Sequence, residues 1–143
     1  VLEISVDGYI PDDYIADPRY KLELYRRFAG LDYGEKDDLL DEIIDRFGEP
    51  PEEVEVLWRV ACLRALCRLL HIRGISVKPG ELRITFAENA AIDPTALMQL
   101  ISEQQQYMNF KSGVQAQLIF RTVKLKTDSL TWLEKNLPRL AFD

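Results

Sequence analysis

The sequence predicts an α+β fold in which helices pack on one side of a small, mainly antiparallel sheet. Three observations predict it. Apolar residues repeat with a 3.6-residue period in 35–47 and again in 130–140, which marks one-sided helices. They alternate in 2–6, 75–77, 82–86 and 116–120, which marks half-buried strands. These signals follow one another with short connections, in the order strand, three helices, hairpin, helix, strand, helix. The 143 residues suit one domain, helical over 17–73 and mixed over 74–143.

Each element has its own local cause. Leu2, Ile4 and Val6 alternate with Glu3 and Ser5 and read as a strand. The stretch 8–15 (Gly-Tyr-Ile-Pro-Asp-Asp-Tyr-Ile) is irregular, because Pro11 lacks a donor and Asp12-Asp13 favour a turn. Asp17-Pro18 starts the first helix: Asp caps the free N–H groups and Pro is pre-set for the first helical position. Gly30 stops it. The second helix spans about 35–47, with Leu39, Leu40, Ile43, Ile44 and Phe47 on one face. Asp38, Asp41, Glu42 and Asp45 project from the opposite face, Arg46 follows, and Gly48 with Pro50 ends the helix. Pro51, Glu52 and Glu53 open a third helix to about His71, apolar over most of its girth and read as the central buried helix. Glu55 and Arg59 form an i,i+4 pair on its wet side. Lys78-Pro79-Gly80-Glu81 is a type II turn signal and closes a hairpin. Asp93-Pro94 caps a helix to about Gln105, Ala116, Leu118 and Phe120 mark a strand, and a last helix from Asp128 carries a Leu130, Leu133, Leu137, Leu140 seam.

Composition narrows the function classes. Residues 1–58 hold 17 acids and 6 bases, a balance of −11; residues 59–143 hold 12 bases and 7 acids, a balance of +5. A strongly acidic half is a poor match for nucleic-acid phosphates and a better one for a basic protein surface. No apolar run approaches the roughly 18 residues of a membrane span, and no membrane partner is expected. Cys62 and Cys67 lie on different sides of a helix and are not placed for a disulfide. Two unpaired cysteines fit a reducing cytoplasm.

The search for chemistry gives no catalytic set. None of the seven glycines opens a phosphate-binding pattern. Any nucleophile–base pair must use the one histidine, His71, and a helix C-terminal histidine bonding the last carbonyls is the simpler account. The acids have no calcium-loop spacing, and an exposed carboxylate face is too wet for large acid–base shifts. No cofactor is expected. The aromatic–basic tract 107–126 (Tyr107, Phe110, Lys111, Phe120, Arg121, Lys124, Lys126) offers a weak nucleic-acid reading, although alternation puts Phe120 in the core. The acidic face of the second helix remains, and its chemistry alone leaves solvation and docking of a partner's Arg or Lys level.

Four segments together resemble one family. They are Gly-Tyr-Ile-Pro-Asp-Asp-Tyr-Ile (8–15), Tyr25-Arg26-Arg27, Asp41-Glu42-Ile43-Ile44-Asp45-Arg46-Phe47-Gly48, and the long helix through Leu63 and Leu66 to Ile72. They resemble the C-terminal domain of bacterial transcription-repair coupling factors, over essentially the whole chain and more divergently after Gly74. The resemblance implies a parent that is an ATP-driven DNA translocase, removes stalled RNA polymerase and recruits the excision-repair protein UvrA, with its motor and DNA contacts in other domains. It implies a non-catalytic regulatory domain that docks on the N-terminal UvrB-like module of the same protein, masks the UvrA-binding surface and represses the motor. The positions that meet that module match Glu42, Asp45 and Arg46, and the partner surface is rich in arginine. Asp38 and Asp41 extend the face from the helical pattern alone. The isolated domain is expected to be monomeric. The alternative is a module that binds another repair or transcription protein in trans through the same face.

Overall fold

The computed structural model describes residues 2–4 and 8–142. Along them run β1 (Leu2–Glu3), α1 (Pro18–Ala29), α2 (Lys36–Phe47), α3 (Glu52–Leu70), β2 (Ile72–Lys78), β3 (Glu81–Phe86), α4 (Pro94–Glu103), β4 (Met108–Lys111), β5 (Gln117–Arg121) and α5 (Ser129–Asn136). They form two compact units, one of Val6–Ala65 and one of Val1–Ser5 with Leu66–Asp143. The division falls inside α3.

The first unit is helical. Its core joins Leu24 and Phe28 of α1, Leu31 of the connection that follows, Leu39 and Ile43 of α2, Val54, Ala61, Cys62 and Ala65 of α3, and Ile10 and Ile15 of the irregular segment. Burying each of the large aliphatic side chains contributes about 1.5–3 kcal/mol. The irregular segment is a turn in which the Pro11 carbonyl accepts from the N–H groups of Tyr14 at 3.0 Å and Ile15 at 3.1 Å. A side chain at Gly8 would sit 3.1 Å from the Leu57 side chain and 3.2 Å from its backbone nitrogen, so the close approach requires glycine. Asp17 accepts from the Arg19 N–H at 2.9 Å and Pro18 takes the first helical position of α1. A 3-10 turn over Tyr33–Glu35 leads into α2, which therefore begins one residue later than its pattern predicts. Gly48 ends α2 at φ +87°, in the left-handed region, with its N–H on the Ile44 carbonyl at 2.9 Å.

The second unit holds a five-stranded sheet in the order β1-β2-β3-β5-β4, parallel only between β1 and β2. Gly80 has the positive φ (+80°) that the third position of a type II turn requires, and Lys78 pairs with Glu81 across the hairpin. Leu82 and Ile84 of β3 face Phe120 and Leu118 of β5, and all four are buried. The residues between them (Arg83, Thr85, Gln117, Ile119) lie on the other face and stay partly exposed. The helices of this unit thus cover one face only, with Leu100, Leu130, Trp132, Leu133, Leu137 and Leu140 buried beside it. The predicted leucine seam is intact, but α5 stops at Asn136 and Leu137–Leu140 continue as a 3-10 turn, as Pro138 has no N–H for an α-helical bond.

Four further sequence expectations change. β4 was not predicted; it is an edge strand of four residues whose Met108 pairs with Phe120 and is its one buried side chain. The first strand covers Leu2–Glu3 and is followed by Ile4; Ser5 and Val6 lie outside the described residues. Leu69, read as part of the apolar girth of α3, is 58% exposed. His71 has a left-handed φ of +56°, and its backbone N–H, not its ring, bonds the Arg68 carbonyl at 3.3 Å.

The Asp93 carboxylate accepts from the Thr95 N–H at 3.0 Å and so holds the first turn of α4. Asp93→Ala should lower stability by about 0.5–2 kcal/mol in denaturant unfolding, the range for a lost side-chain cap.

Candidate functional site

The charged face stands on α1 and α2 of the helical unit. Leu39 and Ile43 point inward and fix which side of α2 meets water. Asp38, Asp41 and Asp45, at spacings of three and four, share the outward ridge and are exposed. They form no ion pair among the described residues. Glu42 and Arg46 lie one position further round, so they turn toward α1 and are not part of that ridge. There they meet Glu23 and Arg27, themselves an i,i+4 pair.

The result is a crosswise quartet. Arg46 Nη1 donates to Glu23 Oε1 at 3.3 Å and to Glu42 Oε2 at 3.5 Å. Arg27 Nη1 donates to the same Glu42 Oε2. The Arg46 guanidinium also lies over two rings, 4.9 Å from the centre of Phe47 and 5.8 Å from that of Tyr20. The bond from Arg27 holds the Glu42 carboxyl below its ordinary range, with Arg46 adding to the effect. The bond to Glu23 raises Arg46. A depressed carboxyl contributes its stabilisation above its unfolded value and loses it as pH falls through the folded one, so the bonds of Arg27 and Arg46 to Glu42 stabilise at neutral pH and are lost in acid.

The end of α2 is fixed from the irregular segment. The Tyr14 hydroxyl donates to the Gly48 carbonyl at 2.6 Å, and its ring lies 6.2 Å from that of Phe47. The Tyr25 hydroxyl accepts from the Ile10 N–H at 3.0 Å. At the other end, Trp58 Nε1 donates to the Lys36 carbonyl at 2.8 Å. Beside the quartet runs a groove of about 330 Å³, lined by Arg26, Arg27, Leu31, Glu35, Asp38 and Glu42 among others.

The structure thus brings Glu42 and Arg46 together and leaves Asp38, Asp41 and Asp45 on the ridge with no ion-pair partner among the described residues. Sequence reasoning missed Glu23, Arg27 and Tyr20. The i,i+4 spacing of Glu23 and Arg27 was the available signal, but nothing in one helix shows which helix it faces. The remaining chemical candidates disperse. No three His, Cys, Asp or Glu side chains are placed to hold a metal ion among the described residues. Burial pushes the Cys67 thiol up to about 11, so it is protonated and a poor nucleophile at neutral pH. No helix is long and apolar enough to cross a membrane. In the aromatic–basic tract, Phe120 is buried against Trp132, and the Arg121 guanidinium lies over Tyr107 and donates to the Gln106 carbonyl.

An α+β domain with one face of paired and unpaired charges, and no assembled catalytic set among its described residues, is the class these observations define. The family model described as "TRCF domain" matches residues 4–97. The chain belongs to that family. The transcription-repair-coupling factor of Bacillus subtilis is 37% identical over 102 residues, which is 69% of this chain and 9% of the relative. That of Escherichia coli is 28% identical over 140 residues, 97% of this chain and 12% of the relative. The chain therefore spans about a tenth of the length of the curated relatives it matches. A crystal structure of the C-terminal domain of transcription-repair coupling factor superposes with a TM-score of 0.76 at 24% identity, covering 98% of this chain and 92% of that one, which extends the shared fold past residue 97.

Proposed function

We propose that this chain is the regulatory C-terminal domain of a DNA translocase in transcription-coupled nucleotide excision repair. It docks on the UvrB-like N-terminal module of the same factor, masks the surface that UvrA uses and holds the motor repressed. The observation that carries this reading is the α2 face. Its core side is locked into the unit, its end is pinned through Tyr14 and Gly48, and its three outward carboxylates have no internal partner among the described residues.

In this mechanism Asp45 accepts charge-assisted bonds from arginines of the partner, with Asp38 and Asp41 extending the acidic ridge. Glu42 accepts another, and Arg46 donates to an acid or a carbonyl opposite. Each such pair at a partly wet interface is worth about 0.5–3 kcal/mol, depending on desolvation. A coupling of about 1–3 kcal/mol between docking and the motor is enough for a repression that other events can release.

Calorimetric titration of this domain with the UvrB-like module at two salt concentrations tests the reading. Glu42→Ala with Asp45→Ala should weaken binding by about tenfold or more, the equivalent of about 1.4 kcal/mol, and flatten the salt dependence. Unchanged affinity and salt dependence would show that the docking face lies elsewhere.

A further inference from the structure

We propose that Arg27 is an internal stand-in for the partner's arginine: it occupies the Glu42 carboxylate in the free domain and is displaced when the domain docks. The inference rests on the docking reading above and adds a competitor to it.

The geometry of Glu42 carries the argument. Both internal guanidinium groups, of Arg27 and Arg46, bond one oxygen, Oε2. An incoming arginine binds a carboxylate best as a fork, with two parallel N–H bonds to the two oxygens. Fork binding at Glu42 therefore needs Oε2 vacated by at least one internal arginine.

Which one yields follows from what else holds each. Arg46 is bonded to Glu23 as well and lies over the rings of Phe47 and Tyr20. Arg27 has Glu42 as its one side-chain partner among the described residues. Arg46 is held on the face by Glu23 and the two rings whether or not it bonds Glu42, whereas Arg27 is held by Glu42 alone, so Arg27 is the arginine free to turn away. It also has somewhere to go. Arg27 lines the groove of about 330 Å³ beside the quartet, and that groove carries the carboxylates of Glu35 and Asp38. A displaced guanidinium can turn into this space and remain near negative charge and water.

The consequence is a sign. An arginine on the docking face would ordinarily be counted as a contact whose loss weakens binding. If Arg27 competes with the partner, its removal strengthens binding instead. It makes Arg27 a specificity residue too, because only a partner group that outbids a guanidinium on Glu42, namely another guanidinium in better geometry, gains the site.

The test is a double-mutant cycle, read by calorimetric titration against the UvrB-like module. Arg27→Ala should tighten binding by on the order of two- to fivefold, the range that an exposed ion pair is worth. The gain should vanish in the Glu42→Ala background. Arg19→Ala removes the same charge from α1 at a site paired with Asp17 and should leave affinity nearly unchanged. Binding that is unchanged or weaker in Arg27→Ala would overturn the proposal while leaving the docking face standing. An equal gain from Arg19→Ala would overturn it as well, since long-range charge would then explain the effect. If Glu42→Ala with Asp45→Ala has no effect, the docking reading itself fails and the competition falls with it. Thermal unfolding of Arg27→Ala, whose side chain is 40% exposed, confirms that the variant is folded.

Discussion

Ile43→Ala should destabilise the helical unit by about 2–5 kcal/mol, the range for removing a large aliphatic side chain from a packed core. Ile43 is 2% exposed and shares its core with Leu39, Leu24, Phe28 and Ile10. The substitution removes three carbons and leaves a cavity that the neighbouring helices close only in part. Alanine is the better helix former, but the gain is at most about 0.7 kcal/mol, so the packing loss wins. The denaturant midpoint should fall with little change in slope, because the surface exposed on unfolding is nearly the same. Ile44, half-buried on the same helix, should cost less when cut to alanine. The pair of variants also separates the two roles of α2. Below its melting point Ile43→Ala should still dock, since its charges remain in place, whereas Glu42→Ala with Asp45→Ala should fold and dock about tenfold or more weakly. A stability change under about 1 kcal/mol for Ile43→Ala would mean that α2 is not anchored as described.

The elements legible in the sequence were those with local causes. Asp17-Pro18 and Asp93-Pro94 both cap helices, since a carboxylate two residues before a free N–H needs no tertiary partner to act. Gly48 and Gly80 both have the positive φ that their positions demanded. β4 was illegible for the opposite reason. It is four residues long, its pairing with β5 is non-local, and only Met108 among its side chains is buried, so no alternation signals it. The 3-10 continuation after Asn136 was hidden because the leucine seam runs on with helical spacing, and only Pro138 marks the tighter turn.

The candidate face was legible in part. Helical spacing found the acidic ridge of α2, and the resemblance selected Glu42, Asp45 and Arg46 from it. What the spacing hid is that Glu42 and Arg46 lie on the side of the face that turns toward α1, beside the ridge of Asp45. They face α1, where Glu23 and Arg27 neutralise them, and this depends on how two helices pack. The structure also gives a physical reason for the two motifs to occur together. Tyr14, from the irregular segment, bonds the carbonyl of Gly48 and packs on Phe47, so the first motif holds the end of the helix that carries the second.

Phe120→Ala should cost about 3–5 kcal/mol, the range for truncating a buried aromatic. Phe120 is 3% exposed on β5, opposite Leu82 of β3 and Met108 of β4, and its ring lies 4.8 Å from that of Trp132. The ring pair adds about 0.5–1.5 kcal/mol beyond the area buried. The experiment decides between two readings of the tract 107–126. If its aromatics were a stacking platform for single-stranded nucleic acid, Phe120→Ala would leave stability unchanged. If Phe120 is core, the variant unfolds at markedly lower denaturant, while Lys124→Ala, at an exposed position of the same tract, stays within about 0.5 kcal/mol of the parent. The chain has two tryptophans, one in each unit, so the readout can be made local. In a Trp58→Phe background the emission comes from Trp132 alone, and Phe120→Ala should move it to longer wavelength as that ring, now 6% exposed, loses its neighbour. An unshifted spectrum together with an unshifted midpoint would place Phe120 outside the core and reopen the tract as a binding surface.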